Sequence, residues 1–370
     1  MPERKVAVPF YEKLSLVLIG LIALGYLVIQ GKDLIDPIVF GFLYSILLLP
    51  VAEFLEKRLR FPRTLSSLFS IILLISFIGT ILYFVGSQIS RLTEDWPMLK
   101  SQVNQSLNDL SQWIQSAFHI NASNQLKYVD DTAKKLEASG TSMIGATFGA
   151  VSSVMVFNVF SLIFTFFMLL YRSILIRFIV WVFSDEHSAI VHDIVENVQK
   201  ILRQYILGLL LEMLVVASLA CTVFWILGVK YAVLMGILIG LFNLIPYLGI
   251  FTALFLSSVI TFATGSVQNT ILVAITVLII HEIDTNFLLP TIVGSKVKLN
   301  ALVTFIGVVL GEMIWGLSGM FLSIPILAIM KIIFDRVDSL KPWGYLLGGG
   351  EKKKSRAKVK EMMPREADQA

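Results

Sequence analysis

Glu212, Asn243, His281, Glu282, Asp284, Asn286 and Glu312 lie within, or at the ends of, long apolar runs. A polar group in a bilayer must find a partner or water, and an ionisable one is costly there, so each is a functional candidate. The chemistry open to these residue types is binding. Carboxylates hold a proton or a cation, and amides and free carbonyls hold a polar solute. The densest group is "HEIDTNFLLPTIVG", His281 to Gly294. Glu282 and Asn286 are four apart and share a helix face. Pro290 has no backbone N–H, so the carbonyl of Asn286 is expected to lose its helical partner. Glu282, the Asn286 side chain and that carbonyl are expected to face one polar cavity. Asp284 points to the far side, nearer His281, and both read as bystanders solvating a helix end.

Pro246 by the same argument frees the carbonyl of Phe242, beside Asn243, and Pro325 frees that of Phe321. Broken helices that expose carbonyls are how many transporters build a site near the midplane. Glu212 lies well inside an apolar run, where it serves as a proton or cation site or pairs with a base such as Lys331. Glu312 stands beside a glycine break. The candidate solute- or ion-binding set is therefore Glu212, Asn243, Pro246, Glu282, Asn286, Pro290 and Glu312. No catalytic residue, metal ligand or cofactor is assigned. The chain lacks a phosphate-binding Gly-rich loop ending in Lys-Ser or Lys-Thr, an HExxH motif and a convincing Ser/His/Asp set. His192 and Glu196 are one helical turn apart, but without a third ligand they read as a solvated face. The expectation is a non-enzyme.

The elements that must position these residues are membrane helices. The chain is 56% hydrophobic and 15% charged, against about 25% charged in soluble domains. Several runs reach the roughly 20 residues that cross a bilayer core. The basic N-terminus precedes an apolar run without a small-residue cleavage site, which reads as a retained span. The single cysteine, Cys221, excludes an intrachain disulfide and reads as a packing residue. Loops and tail account for the net charge of +4, so no nucleic-acid partner is implied.

Residues 1–86 hold three spans, beginning near Leu14, at the "LIDPIVF" run and at Leu65. Residues 87–148 are polar and carry Leu99, Val103, Leu107, Leu110 and Ile114 at helical spacing, which marks an amphipathic extramembrane helical insert. Residues 149–343 form the membrane core. A fourth span ends at Tyr171. The segment "SDEHSAIVHDIVENVQKILRQ" is an amphipathic helix expected to lie along the cytoplasmic surface before a fifth span from Tyr205. Residues 231–265 and 301–334 are each too long for one untilted helix and are broken midway by Gly and Pro. Residues 344–370 form a basic tail expected to be disordered and cytoplasmic.

This is an all-α polytopic membrane protein. It has eight spans if each broken run crosses once, and six crossings if each is a re-entrant hairpin. Lys57, Arg58, Arg60 and Arg63 mark a cytoplasmic loop, and both termini are expected to be cytoplasmic in either scheme. The hairpin scheme also puts Lys296 and Lys298 inside, as the positive-inside tendency prefers.

The stretch "GLFNLIPYLG" followed by "HEIDTNFLLPTIVGSKVKLNALVTFIGVVLGEMIWGLSGMFLSIPILAIMKIIFD" resembles the autoinducer-2 exporter family of bacterial permeases. The matching positions are Pro246, Tyr247, Gly249, Glu282, Asn286, Pro290, Gly294, Gly316, Gly319, Pro325 and Lys331. At Leu299 to Leu302 the chain reads "LNAL", where the family commonly has a proline. The resemblance implies a multi-pass secondary transporter of the bacterial inner membrane. It implies export of a small polar solute such as autoinducer-2 or, alternatively, sodium/proton antiport. It also implies a homo-oligomer, with a pentamer as the expected assembly. A further alternative read from the residues is a membrane scaffold acting through the 87–148 insert.

Overall fold

In lipid, a chain can satisfy its backbone hydrogen bonds only as helices or as a closed barrel, and the long apolar runs take the helical solution. The computed structural model describes residues 10–94, 101, 105, 155–183, 188–245, 248–264, 266–292 and 299–348, and no strand occurs among them. Apart from Ser101 and Gln105, the insert beyond Glu94 lies outside the described residues, as do Pro246, the 293–298 loop and the tail beyond Gly348, whereas residues 344–348, expected in the disordered tail, are helical.

The chain opens with α1 (Phe10–Gln30), α2 (Lys32–Arg58) and α3 (Arg63–Glu94). Next come α4 (Met155–Leu170) and α5 (Arg172–Val182), bent by 75° from one another. Arg172 at that bend makes a two-pronged hydrogen bond to Glu56 at the end of α2, at 2.8 and 2.5 Å. The expected surface helix and the fifth span are one continuous helix, α6 (Ser188–Ile226), rather than a helix along the surface followed by a crossing. No Gly or Pro interrupts its first half, so the change from a one-sided to an all-round apolar pattern does not break it. Its 39 residues reach about 58 Å, well beyond a bilayer core.

Both broken runs fold back on themselves. The first gives α7 (Ala232–Phe242) and α8 (Leu248–Thr264). The carbonyl expected to be freed by Pro246 is not free, because the Ile245 N–H donates to Phe242 at 2.9 Å. Then follow α9 (Val267–Ile283), a wide π-helical turn over Asp284–Leu288, and α10 (Leu289–Ile292). The second run gives α11 (Ala301–Trp315) and α12 (Leu317–Arg336), reversing at Gly316, whose φ of 65° suits glycine. Gly311 and Gly319 face each other across this hairpin, and a Cβ on Gly319 would sit 1.9 Å from the Gly311 carbonyl oxygen. The Ser323 hydroxyl donates to the Gly307 carbonyl at 2.9 Å. Small residues thus let the backbones touch, which substitutes for the hydrophobic drive that lipid removes. A short helix, α13 (Lys341–Gly348), closes the described chain, and its Leu347 carbonyl accepts from the Asn300 N–H at 2.7 Å.

Helix α6 belongs to two separate cores. Leu202, Tyr205 and Leu209 pack with Leu43 and Ile46 of α2 and Leu322 and Ile332 of α12. Val216, Ala220 and Phe224 pack with Met235 of α7, Ala253 of α8 and Val273 and Val277 of α9. Among the described residues, five helices are long and apolar enough to cross a bilayer, and six if the bent α4–α5 pair is one span. The many exposed Leu, Ile and Phe side chains of α1, α3 and α9 then form a lipid-facing surface.

Candidate functional site

Glu212 sits on α6 at the junction of the two cores, between Leu209 of one and Val216 of the other. Its side chain is only 3% exposed. Asn243 follows the last turn of α7, where the chain leaves the helix and its N–H still bonds to Ile239 at 3.0 Å. Its side-chain amide therefore projects from the end of a short helix. That amide donates to Asp284 Oδ2 at 3.0 Å and to Glu212 Oε1 at 3.3 Å. One –NH2 group thus spans two carboxylates from two other helices.

Asp284 is not the solvated bystander expected from the sequence: it is 4% exposed. Val273, Val277, Ile280 and Asp284 are all buried and recur at spacings of four, three and four, so Asp284 prolongs the inward stripe of α9. That stripe was the available signal, and it outweighs proximity to the helix end. Lys331 is not the partner of Glu212 either. It pairs with Asp335, one turn along α12.

Asp284 also begins the π-helical turn, where the Leu289 N–H donates to the Asp284 carbonyl. Pro290 gives this turn a physical reason. An α-helical register would aim a missing N–H at Asn286. Widened turns of this kind inside α-helices frequently accompany functional sites.

Glu212 Oε2 and Asp284 Oδ1 are both buried and, among the described residues, have no hydrogen-bond partner. No Lys or Arg among the described residues pairs with either carboxylate. Burying two ionised carboxylates without a counter-charge is expensive, so the arrangement calls for a proton or a cation. Beside Asn243 and Asp284 lies a cavity of about 10 Å³, also lined by His281, Gly249 and Val277. Such a space is at the threshold for one water molecule and excludes an organic solute.

Glu282 and Asn286 form a separate pair on the opposite side of the same element. The Asn286 amide donates to Glu282 Oε2 at 3.0 Å and to the Glu282 carbonyl at 2.9 Å. Both are exposed, and they lie on the outward face of this one element among the exposed Ile275, Ile279 and Phe287, so the polar cavity expected in front of them is instead a mostly apolar surface. Pro290 is exposed just beyond. Glu312 is exposed on α11, away from the buried Glu212 and Asp284 and the half-buried Asn243 that they share. His192 and Glu196 are exposed and 3.3 Å apart, and among the described residues no group of three or more His, Cys, Asp or Glu could hold a metal ion.

The AI-2E family transporter model matches residues 16–339 of the chain. YrrI of Bacillus subtilis (strain 168) is 29% identical over 320 residues, which cover 82% of this chain and 86% of the relative. YueF of the same organism is 26% identical over 310 residues, or 80% and 82% of the two chains. The AI-2 transport protein TqsA of Escherichia coli (strain K12) is 23% identical over 332 residues, or 85% and 91%.

Proposed function

We propose that this chain, which belongs to the AI-2E family of transporters, is a secondary transporter that exports a small polar solute of the autoinducer-2 kind and couples the movement to a proton or cation held by Glu212, Asn243 and Asp284. The observation that carries this reading is the pair of buried carboxylates sharing one amide, without a basic partner among the described residues. The cavity at the buried cluster is about 10 Å³, room for a proton or a small ion and not for an organic solute. The solute is assigned to the exposed face at Glu282 and Asn286, which supply an acceptor and a donor. The coupling ion is assigned to the buried cluster. Pro290 and the π-helical turn join the two across one element, and Glu312 lies in the last turn of α11, just before the reversal at Gly316.

Uptake of a furanone-type signalling molecule into inverted membrane vesicles, whose cytoplasmic face is outward, tests the solute assignment. Wild-type protein is expected to accumulate it, and Glu282→Ala with Asn286→Ala to lose uptake while still inserting. Normal uptake by the double variant removes the Glu282–Asn286 face from the reading.

Cation/proton antiport without an organic solute is the second reading. The buried cluster favours it, because two carboxylates can exchange a cation for a proton with no further residue. A sodium gradient that drives proton flux in liposomes lacking the solute selects this reading.

A further inference from the structure

A cleft remains between the last turns of α2 and the first half of α6, away from both sites above. One part, of about 390 Å³, is lined by Leu49, Pro50, Phe54, Arg58 and Arg203. An adjoining part, of about 190 Å³, shares Leu49 and Arg203 and adds Ile46 and Lys200. Leu49, Pro50 and Phe54 make an apolar wall running along α2 into its membrane-crossing stretch, and Phe54 is 58% exposed.

The rim is basic. Two acids border the cleft, Glu53, which pairs with Lys57 at 2.7 Å, and Glu196, 3.3 Å from His192, and the four bases Lys57, Arg58, Lys200 and Arg203 outnumber them. Among the described residues, no acidic side chain pairs with Arg58, Lys200 or Arg203. The level of these cations is also set. Arg58 ends α2, and Arg203 stands two residues before Tyr205, where α6 becomes apolar on all sides. Three unpaired cations therefore gather at the boundary between the apolar and the water-facing halves of the protein, above an apolar wall.

We propose that this cleft binds an anionic phospholipid, with its phosphate on Arg58, Lys200 and Arg203 and an acyl chain along Leu49, Pro50 and Phe54. Basic pockets between helices at a membrane surface suit such headgroups. A zwitterionic lipid fits the apolar wall equally well but brings an ammonium group to an unpaired basic rim. Charge thus selects the anionic class, and arginine adds two-pronged phosphate geometry. The bound lipid bridges α2 and α6.

The test uses the full-length protein in detergent, titrated with phosphatidylglycerol or phosphatidylcholine and read by native mass spectrometry and thermal unfolding. Phosphatidylglycerol is expected to remain bound and to raise Tm more than phosphatidylcholine. In Arg58→Gln/Arg203→Gln, with two of the three cations gone, that preference is expected to fall about 30-fold. If that variant fails to fold, competition of the two lipids for the wild-type protein decides alone. Equal retention of both lipids by the wild type, or an unchanged preference in the variant, overturns the proposal. Inorganic phosphate that displaces or matches phosphatidylglycerol overturns it as well, because the acyl wall would then contribute nothing.

Discussion

Asn243 and Asp284, 41 positions apart, are joined by a 3.0 Å hydrogen bond from the Asn243 side-chain amide to the carboxylate. The same amide reaches Glu212 on α6, so α7, α9 and α6 meet at one –NH2 group. The contact joins the break of one hairpin to the π-helical turn of the next element. It brings together the features that a gated ion site needs: buried charge, a donor at a helix end and an irregular backbone.

Removing the amide should uncover this dependence. Asn243→Ala leaves two buried carboxylates without their shared donor and is expected to cost about 1–3 kcal/mol, the usual penalty for stranding a buried polar group. Asn243→Asp puts a third acid in the cluster and is expected to be worse. Thermal unfolding of the purified protein checks both. An Asn243→Asp variant as stable as the wild type would show that the cluster already holds compensating positive charge.

Pro290→Ala returns a backbone N–H to the turn. The π-helical register is then expected to relax toward α, turning Asp284 away from Asn243. Transport is expected to fall, and any stability gained from the restored backbone bond is offset by the loss of the Asn243–Asp284 hydrogen bond. A disulfide trap between Asn243→Cys and Asp284→Cys reports the change directly, and its yield is expected to drop when Pro290→Ala is added.

How far this was legible in the sequence differs from element to element. The hairpins were foreshadowed by glycine and proline midway through runs too long for one crossing, because those residues act locally. The continuity of α6 was not, since a helix can pass from water to lipid with no break in its backbone. Glu282 and Asn286 were placed together correctly by their spacing of four, and their hydrogen bond follows, but the polar cavity expected in front of them is an exposed and mostly apolar helix face. Asp284 was misread because nearness to a helix end was weighed above the stripe it prolongs from Ile280. The meeting of Glu212 with Asn243 depends on how α6 and α7 pack, which local spacing does not contain.

Gly319→Ala tests the second hairpin. A methyl group there would lie 1.9 Å from the Gly311 carbonyl oxygen, so α11 and α12 must separate. Overpacking of this kind costs about 1–3 kcal/mol. A lowered Tm is expected, whereas Gly20→Ala, which meets nothing within 4 Å, is expected to leave Tm unchanged.

At the α4–α5 bend, Arg172→Lys keeps the charge but loses the two-pronged contact with Glu56. The pair is largely buried, at 19% and 14% exposure, so the loss is expected to approach about 1.5–3 kcal/mol, the range for hydrogen bonds to charged groups. Denaturation of Arg172→Lys, Glu56→Gln and the double variant gives the coupling. An effect that is additive across the two sites would show that the pair contributes nothing beyond its members.

The central claim, that Glu212, Asn243 and Asp284 couple transport to an ion, is tested most directly by gradient-driven flux in proteoliposomes. Wild-type protein is compared with Glu212→Gln and Asp284→Asn, with and without an imposed proton or sodium gradient. The account predicts that a gradient drives solute accumulation by the wild type, while each variant exchanges solute across the membrane but no longer accumulates it. Accumulation by either variant at the wild-type level under the same gradient would contradict it.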